Sequence, residues 1–195
     1  MKSINESVLN YIYRGMRYIR ARATGWLYSK FLSSSNRSKK ILIGRNFKAR
    51  NTKLINFNSK VKVGDNCRFE CFPESLASSF AVGISIGKNT NLGNNVHIGA
   101  IGKITISEDC LAGSNILIID HNHGSIKDTF ERRSTPPKDR RLEYKGPIVI
   151  EKNVWLCDNV VILGGSTVKQ GSTVPANTIV SGIYDNLNNN SSEYE

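Results

Sequence analysis

Residues 150–180 read IEKNVWLCDNVVILGGSTVKQGSTVPANTIV, and an aliphatic residue returns in this stretch at every sixth position. The members of this row are Ile150, Leu156, Ile162, Val168, Val174 and Val180. A period of six fits neither an amphipathic helix nor a single alternating strand. It fits a chain that turns a corner every six residues and stacks coil upon coil, with each aliphatic side chain pointing inward.

The same pattern continues upstream of residue 150. An aliphatic or small residue steps by six twice, with one slip of two residues between the two series: Ile86, Leu92, Ile98, then Ile106, Ala112 and Ile118. Glycine follows many of these positions and Asn or Asp comes soon after, as expected where the backbone turns a corner. A β-sandwich would instead need a period of two between irregular turns. The sequence therefore predicts a mainly β protein that forms a parallel β-helix.

Two motifs make this pattern more specific, namely IVIEKNVWLCDNVVILGGSTV at 148–168 and IDHNHG at 119–124. Both resemble the left-handed β-helix acyltransferases with hexapeptide repeats, in the branch of the maltose and galactoside acetyltransferases. That branch includes O-acetyltransferases of bacterial surface polysaccharides such as the O-antigen of lipopolysaccharide. The resemblance implies a left-handed solenoid, acetyl-CoA as co-substrate and a homotrimer.

The formal charge of +11 is concentrated at the N-terminus of the 195-residue chain. Residues 1–50 contain 12 Lys and Arg and one acid, whereas residues 51–195 contain 15 basic and 15 acidic residues. Such asymmetry favours an anionic partner for the N-terminal segment. We do not expect that partner to be nucleic acid.

The four cysteines form no CxxC pair, so no disulfide is expected and the compartment is predicted to be reducing. Because no apolar segment resembles a signal peptide, the protein is predicted to be cytoplasmic. Peripheral contact with the inner face of the cell membrane is a further possibility that this prediction includes.

Residues 3–32 are predicted to form a basic amphipathic helix that begins with a capping box at Ser3 and Glu6. Apolar residues follow helical spacing, with arginines between them: Val8, Leu9, Ile12, Met16, Ile19, Ala23, Trp26 and Leu27. Gly25 is expected to break or bend this helix. Two interpretations stay open, since the helix could cap the open end of the solenoid or lie on an anionic membrane, and one helix could do both.

The chain divides into three segments on these patterns. Residues 1–40 contain the helix and a polar linker, 41–182 form the solenoid, and 183–195 form a polar tail that is expected to be disordered. Residues 72–82 interrupt the period and are predicted to form a loop. A longer polar segment, 124–146, is predicted to be ejected from the solenoid, and loops of this size are usually functional.

Histidine is scarce, and two of the three histidines, His121 and His123, lie just before the ejected loop. Transfer of an acyl group from a thioester to a hydroxyl needs a base for the alcohol proton and stabilisation of an oxyanion. Histidine has the pKa for the first task. The spacing places His123 on the outside of the wall, and Trp155 is expected to point outward as well.

The resemblance implies roles for particular residues. The general base of the family falls on His123, with His121 as the rival, and the family's active-site tryptophan falls on Trp155. Asp120 or Glu143 is a candidate to orient the imidazole. The CoA site implied by position comprises Cys157, Asp158, Gly165, Ala176 and Ser181. Asn94 or Asn95 would contact the acceptor, although both residues also suit a corner of the solenoid.

Three alternatives were weighed against an O-acetyltransferase. A metal-dependent anhydrase of the same fold would need His97, His121 and His123 as zinc ligands, and we expect no metal. An N-acyltransferase that acts on an amino sugar or a nucleotide-sugar is the second candidate. A scaffold without catalysis would not need the histidine pair, the loop and Trp155 together.

Overall fold

The computed structural model describes residues 6–34, 40–73, 82–125 and 127–187. Within them the chain winds into a left-handed parallel β-helix with three six-stranded sheets, as predicted. We call the sheets A, B and C in the order in which the chain first visits them. Sheet A contains β1 (Leu42–Ile43), β4 (Lys62–Val63), β7 (Asn91–Leu92), β10 (Leu111–Ala112), β15 (Trp155–Leu156) and β18 (Thr173–Val174). Sheet B contains β2 (Lys48–Arg50), β5 (Arg68–Cys71), β8 (His97–Ala100), β11 (Leu117–Ile119), β16 (Val161–Leu163) and β19 (Ile179–Val180). Sheet C contains β3 (Ile55–Phe57), β6 (Gly83–Ile86), β9 (Lys103–Ile106), β14 (Ile148–Ile150), β17 (Thr167–Val168) and β20 (Ile183–Tyr184).

The core is the set of aliphatic rows that run along the solenoid axis. In sheet C, Ile106 is in register with Ile86 and Ile150, and Ile150 is in register with Val168. All members of the row at 150–180 are buried. Burial of one such side chain contributes about 1.5–3 kcal/mol, so the repeated rows hold the coils together.

Asparagine forms the corner between sheets A and B in every coil. The backbone there adopts the left-handed region with φ between 55° and 62°, at Asn46, Asn66, Asn95, Asn115, Asn159 and Asn177. Asparagine tolerates this conformation better than other residues with a side chain. The side-chain amide of Asn95 donates to Asn115 at 2.9 Å, and that of Asn115 donates to Asn159 at 3.1 Å, so the corners are also linked along the axis.

Helix α1 (Glu6–Ser34) packs on the N-terminal coil, which supports the cap interpretation. The Ser29 hydroxyl accepts the backbone N–H of Ile43 at 2.8 Å, and the Tyr28 ring packs edge-on against Phe47 at 5.1 Å between centroids. The predicted break at Gly25 is wrong, because the helix is continuous through this residue. A side chain at Gly25 would meet the Ile43 carbonyl oxygen at 2.9 Å and would lie closer still to that of Gly44. Ser3 of the predicted capping box lies outside the described residues.

The ejected segment begins earlier than residue 124. The chain leaves sheet B after Ile119 and forms an antiparallel hairpin of β12 (His121–His123) and β13 (Leu142–Tyr144). Between these strands lie a short helix α2 (Thr129–Ser134) and a 3-10 turn at Pro137–Asp139. The chain re-enters the solenoid at β14, so the hairpin projects from the corner between sheets B and C.

The solenoid reaches beyond the predicted end at residue 182, since β20 pairs with β17 in sheet C. The Tyr184 hydroxyl also donates to the Thr173 carbonyl at 3.2 Å. Residues 188–195 of the predicted tail and 74–81 of the predicted loop lie outside the described residues. Neither of the described helices has the length and hydropathy that a membrane span requires.

Candidate active site

The carboxylate of Asp120 is fully buried at the base of the hairpin and accepts several hydrogen bonds. It receives the backbone N–H groups of Ile101 at 2.9 Å and Gly102 at 2.8 Å, and His121 Nδ1 lies 2.9 Å from it. Because a carboxylate accepts hydrogen bonds, Nδ1 of His121 carries a proton and Nε2 is left as an acceptor when the ring is neutral. Asp120 therefore fixes both the loop at residues 101–102 and the orientation of His121.

His123 lies at the other end of β12, opposite Leu142, and is exposed. Within the described part of the chain, no hydrogen bond or ion pair reaches its imidazole. Because side chains alternate between the two faces of a strand, Glu143 lies on the face of the hairpin opposite to His123, where it forms an ion pair with Lys145 at 2.7 Å. Of the two predicted orienting residues, Asp120 thus contacts His121, and Glu143 does not face His123.

Arg68, Glu70 and His97 form a polar cluster on the outer face of sheet B. Arg68 Nη2 lies 3.1 Å from His97 Nδ1, and His97 Nε2 lies 3.3 Å from the Glu70 carboxylate. Arginine can only donate, so Nδ1 is the acceptor and the proton resides on Nε2. Partial burial, followed by the charge of Arg68, lowers the pKa of His97, against the opposing effect of Glu70. The imidazole of His97 is therefore held neutral.

Sequence patterns did not reveal this cluster, because His97 lies 29 residues from Arg68 and 27 residues from Glu70 along the chain. Residues 72–82 interrupt the six-residue period in the sequence, so a simple six-residue count does not align Arg68 with His97. Strand register does align them, since β5 pairs with β8. A six-residue count that restarted after residue 82 would have indicated that Arg68 and His97 lie on neighbouring strands.

On the outer face of β8, Gly99 lies between the polar cluster and the hairpin, and its missing side chain leaves a small gap between them. A methyl group at Gly99 would lie 3.4 Å from His121 Cε1 and 3.7 Å from His97 Nε2. The Phe72 ring packs edge-on against His121 with centroids 5.9 Å apart, and the Arg50 guanidinium lies 4.7 Å from the Phe72 centroid. The absence of a side chain at Gly99 thus leaves room for His97 and His121, which are distant in sequence, to lie near each other.

Trp155 lies on the outer face of sheet A and is 48% exposed, as expected from its phase. The hairpin with His123 projects from the opposite edge of sheet B. The full width of sheet B therefore separates the two predicted catalytic side chains within one chain, and no single surface presents both of them.

The predicted CoA residues fall into two groups. Cys157, Asp158 and Ala176 lie at the corner between sheets A and B, whereas Gly165 and Ser181 lie towards the corner between sheets B and C. Asp158 also has a structural task, since its carboxylate accepts the Ser114 N–H at 2.7 Å.

The predicted acceptor residues Asn94 and Asn95 take part in the same corner. Asn94 accepts the Asp65 N–H at 2.8 Å, and Asn95 belongs to the row of corner asparagines. Both side chains are thus engaged in holding coil to coil.

The outer face of sheet B is apolar in the last coils, between these two corners. Its outward side chains there are Leu117, Ile119, Val161, Leu163 and Ile179. Ile179 is 67% exposed in the single chain. Among the described residues no group of three His, Cys, Asp or Glu side chains could hold a metal ion.

The chain resembles known proteins both in sequence and in fold. No family model matches the chain. It is 36% identical over 135 residues to a putative lipopolysaccharide biosynthesis O-acetyl transferase, WbbJ of Escherichia coli, which covers 68% of this chain and 65% of the relative. It is 26% identical over 105 residues to a putative acetyltransferase of Schizosaccharomyces pombe, which covers 54% of this chain and 47% of the relative. The chain thus spans less than two thirds of the length of these curated relatives. In fold it resembles a single-residue mutant of AntD, an N-acyltransferase from Bacillus cereus, with a TM-score of 0.59, 14% identity and coverage of 76% of this chain and 73% of that one.

Proposed function

We propose that the chain is a hexapeptide-repeat acyltransferase and, more specifically, an acetyl-CoA-dependent O-acetyltransferase. Its acceptor would be a sugar hydroxyl of a bacterial surface polysaccharide or of its precursor. The observation that carries this proposal is the 36% identity to the Escherichia coli O-acetyl transferase of lipopolysaccharide biosynthesis. The aligned 135 residues are 68% of this chain. The proposal of acetyl-CoA as donor is supported by the coenzyme A bound in the AntD structure of the same fold.

The proposed reaction is a direct transfer without an acyl-enzyme. The acceptor hydroxyl attacks the thioester carbonyl, its proton moves to the imidazole of His123, and the C–O bond forms as the C–S bond breaks. The proton then passes to the departing CoA thiolate. The exposure of His123 at the start of the hairpin supports this assignment, because a base must reach both the acceptor and the thioester.

His121 remains the rival for the role of general base. Its hydrogen bond to Asp120 resembles the way in which a carboxylate orients a catalytic histidine. Its side chain is only 8% exposed in the single chain, however, which limits the approach of an acceptor. We therefore propose that His121 positions the hairpin and that His123 takes the proton.

We propose a homotrimer in which two neighbouring subunits complete each site. The width of sheet B between His123 and Trp155 supports this arrangement, as does the exposed apolar surface on sheet B. A neighbour packed on that surface would bring its own Trp155 towards His123 of the first subunit. The corner residues Cys157, Asp158 and Ala176 would then lie along the acetyl-CoA, with Gly165 and Ser181 at its other side.

We also propose that residues 3–32 contact an anionic membrane. Large apolar side chains of α1 are exposed in the single chain, including Tyr11 at 80%, Ile19 at 68% and Phe31 at 68%. With the arginines of the same segment, they fit a surface helix that docks at the headgroup region. Such docking would hold the enzyme close to a lipid-linked acceptor.

The proposed function is tested by incubating the protein and acetyl-CoA with a panel of sugars and oligosaccharides. Mass spectrometry of the products identifies the acetylated acceptor, and His123→Ala protein serves as the control. Release of the acetyl group by mild alkali indicates an ester, whereas a stable product indicates the amide of an N-acyltransferase. The absence of transfer to every hydroxyl acceptor, together with transfer to an amino sugar, would overturn the proposal.

A further inference from the structure

A groove of about 1540 Å³ runs between α1 and the outer face of sheet A in the first coils. One wall is the helix, with Ile19, Ala23 and Trp26, and the other is the face of β1 and β4, with Leu42. Three of these apolar side chains are largely exposed, namely Ile19 at 68%, Trp26 at 61% and Leu42 at 58%. The proposed acyl transfer uses no residue of this groove.

The groove is strongly basic. Its lining includes six cationic side chains, Arg22, Lys30, Lys40, Arg45, Lys60 and Lys62, and one carboxylate, that of Asp65. Arg45 donates to Asp65 from Nε at 2.8 Å, and this contact lowers the pKa of Asp65, so the carboxylate stays ionised and is already engaged. Lys40, Lys60 and Lys62 form no ion pair with any described residue. These three lysines therefore carry positive charge in the groove that no described carboxylate pairs with.

A groove lined by both apolar and cationic side chains is complementary to an anionic amphiphile. We propose that this groove binds the phosphate-bearing head of an anionic membrane lipid, with the start of its acyl chain against Trp26 and Leu42. Lysines near an anionic bilayer attract it electrostatically, and the apolar side chains add burial at the acyl boundary. Tyr11 and Met16, nearer the start of α1, are exposed apolar residues as well. A nucleic acid would use the lysines but would leave Ile19 and Leu42 in water.

The groove is separated from the proposed catalytic residues along the solenoid axis. Trp155 lies on the same sheet A, but β15 is four strands from β1 and two strands from β7, whose Asn91 is the lining residue nearest to it on this sheet. At a spacing of about 4.8 Å between strands, these separations correspond to roughly 19 Å and roughly 10 Å. Occupation of the groove by lipid is thus compatible with acyl transfer elsewhere on the solenoid, and the two activities can be tested separately.

The test is flotation of the full chain with vesicles of phosphatidylcholine, with and without phosphatidylglycerol. The variant Lys60→Glu/Lys62→Glu reverses two charges in the groove. The control Lys48→Glu/Lys53→Glu changes the net charge equally at two exposed lysines of sheet B and its following corner. We expect the groove variant to partition at least about tenfold more weakly into phosphatidylglycerol vesicles at low salt, and the control to resemble the unmodified protein. Equal losses in both double variants would show a general charge effect and overturn the proposal.

A second variant tests the apolar half of the groove. Trp26→Ala should also weaken flotation, whereas Phe130→Ala, which removes an exposed ring from α2, should not. In a Trp155→Phe background, emission from Trp26 should shift to shorter wavelength on addition of phosphatidylglycerol vesicles. Flotation that is unaffected by Trp26→Ala, or that is displaced by a short single-stranded DNA while Trp26 emission stays unchanged, would overturn the proposal.

Discussion

The imidazoles of His121 and His123 lie two residues apart on β12 but have different surroundings. His121 is buried and bonded to Asp120, whereas His123 is exposed and has no partner among the described residues. The period of six predicted His123 on the outer wall of the solenoid, but the chain leaves sheet B after Ile119, and both histidines lie on the hairpin instead. The burial of His121 was not predictable either, because it depends on the hairpin and on contacts with Phe72 from another coil.

The first prediction separates the two histidines by kinetics. His123→Ala should lower kcat by about 10²–10⁴-fold, with little change in the affinity for CoA, because a general base contributes this much. His121→Ala should retain most of kcat but unfold at a lower temperature, since the buried Asp120 carboxylate loses one donor. Steady-state kinetics and thermal unfolding of both variants provide the measurement. A dead His121→Ala enzyme beside an active His123→Ala enzyme would reverse the assignment.

The second prediction concerns His97 and pH. The fold lowers the pKa of His97 below its ordinary value of 6.5. At pH values between the folded-state pKa and 6.5, the unfolded chain therefore binds more protons than the folded chain. The free energy of unfolding therefore falls as the pH decreases through about 6.5. The groups that face His97 are Arg68, Glu70 and His121. Urea denaturation of unmodified and His97→Gln protein between about pH 7.5 and pH 5.5 should show a shallower decline for the variant. Identical declines would contradict a depressed pKa.

Helix α1 shows what sequence patterns predict at the level of an element. Helical spacing predicted the existence and the approximate limits of α1. It did not predict which residue would contact the solenoid, since Gly15 and Gly25 look alike in the sequence. The structure distinguishes them: Gly15 has nothing within 4 Å of its missing side chain, whereas Gly25 faces the carbonyl groups of Ile43 and Gly44. Tertiary contact, which no local pattern encodes, makes the difference.

The third prediction uses this matched pair of glycines. Gly15→Ala should stabilise the protein by up to about 1 kcal/mol, because alanine favours the helix and no contact is disturbed. Gly25→Ala makes the same chemical change but forces α1 away from β1, at a cost of about 1–3 kcal/mol. Thermal unfolding followed by circular dichroism measures both. If the two variants shift the melting temperature in the same direction, α1 does not dock through Gly25.

At the scale of the whole molecule, a single chain keeps the two side chains proposed for catalysis, His123 and Trp155, far apart. The solenoid fixes His123 at one edge of sheet B and the corner after Trp155 at the other, and the intervening face is apolar. Closed rotation of identical subunits would bring opposite edges of neighbouring chains together. The sequence could predict the outward direction of Trp155, which lies on the solenoid wall, but not the position of His123 on a hairpin outside that wall. It could not predict the distance across sheet B, which follows from the order in which the chain visits the three sheets.

The last prediction tests whether each site takes His123 and Trp155 from different chains. His123→Ala and Trp155→Ala homo-oligomers should each lose most activity, and sedimentation should give a mass near three chains for both. When the two variants are co-expressed and assemble at random, about a quarter of the sites should combine an intact His123 with an intact Trp155 of the neighbour. Activity should return to that fraction, while a chain that carries both substitutions, co-expressed with either single variant, should restore nothing. If both residues acted within one chain, no mixture of the two variants could contain an intact site, and the co-expressed protein would stay inactive.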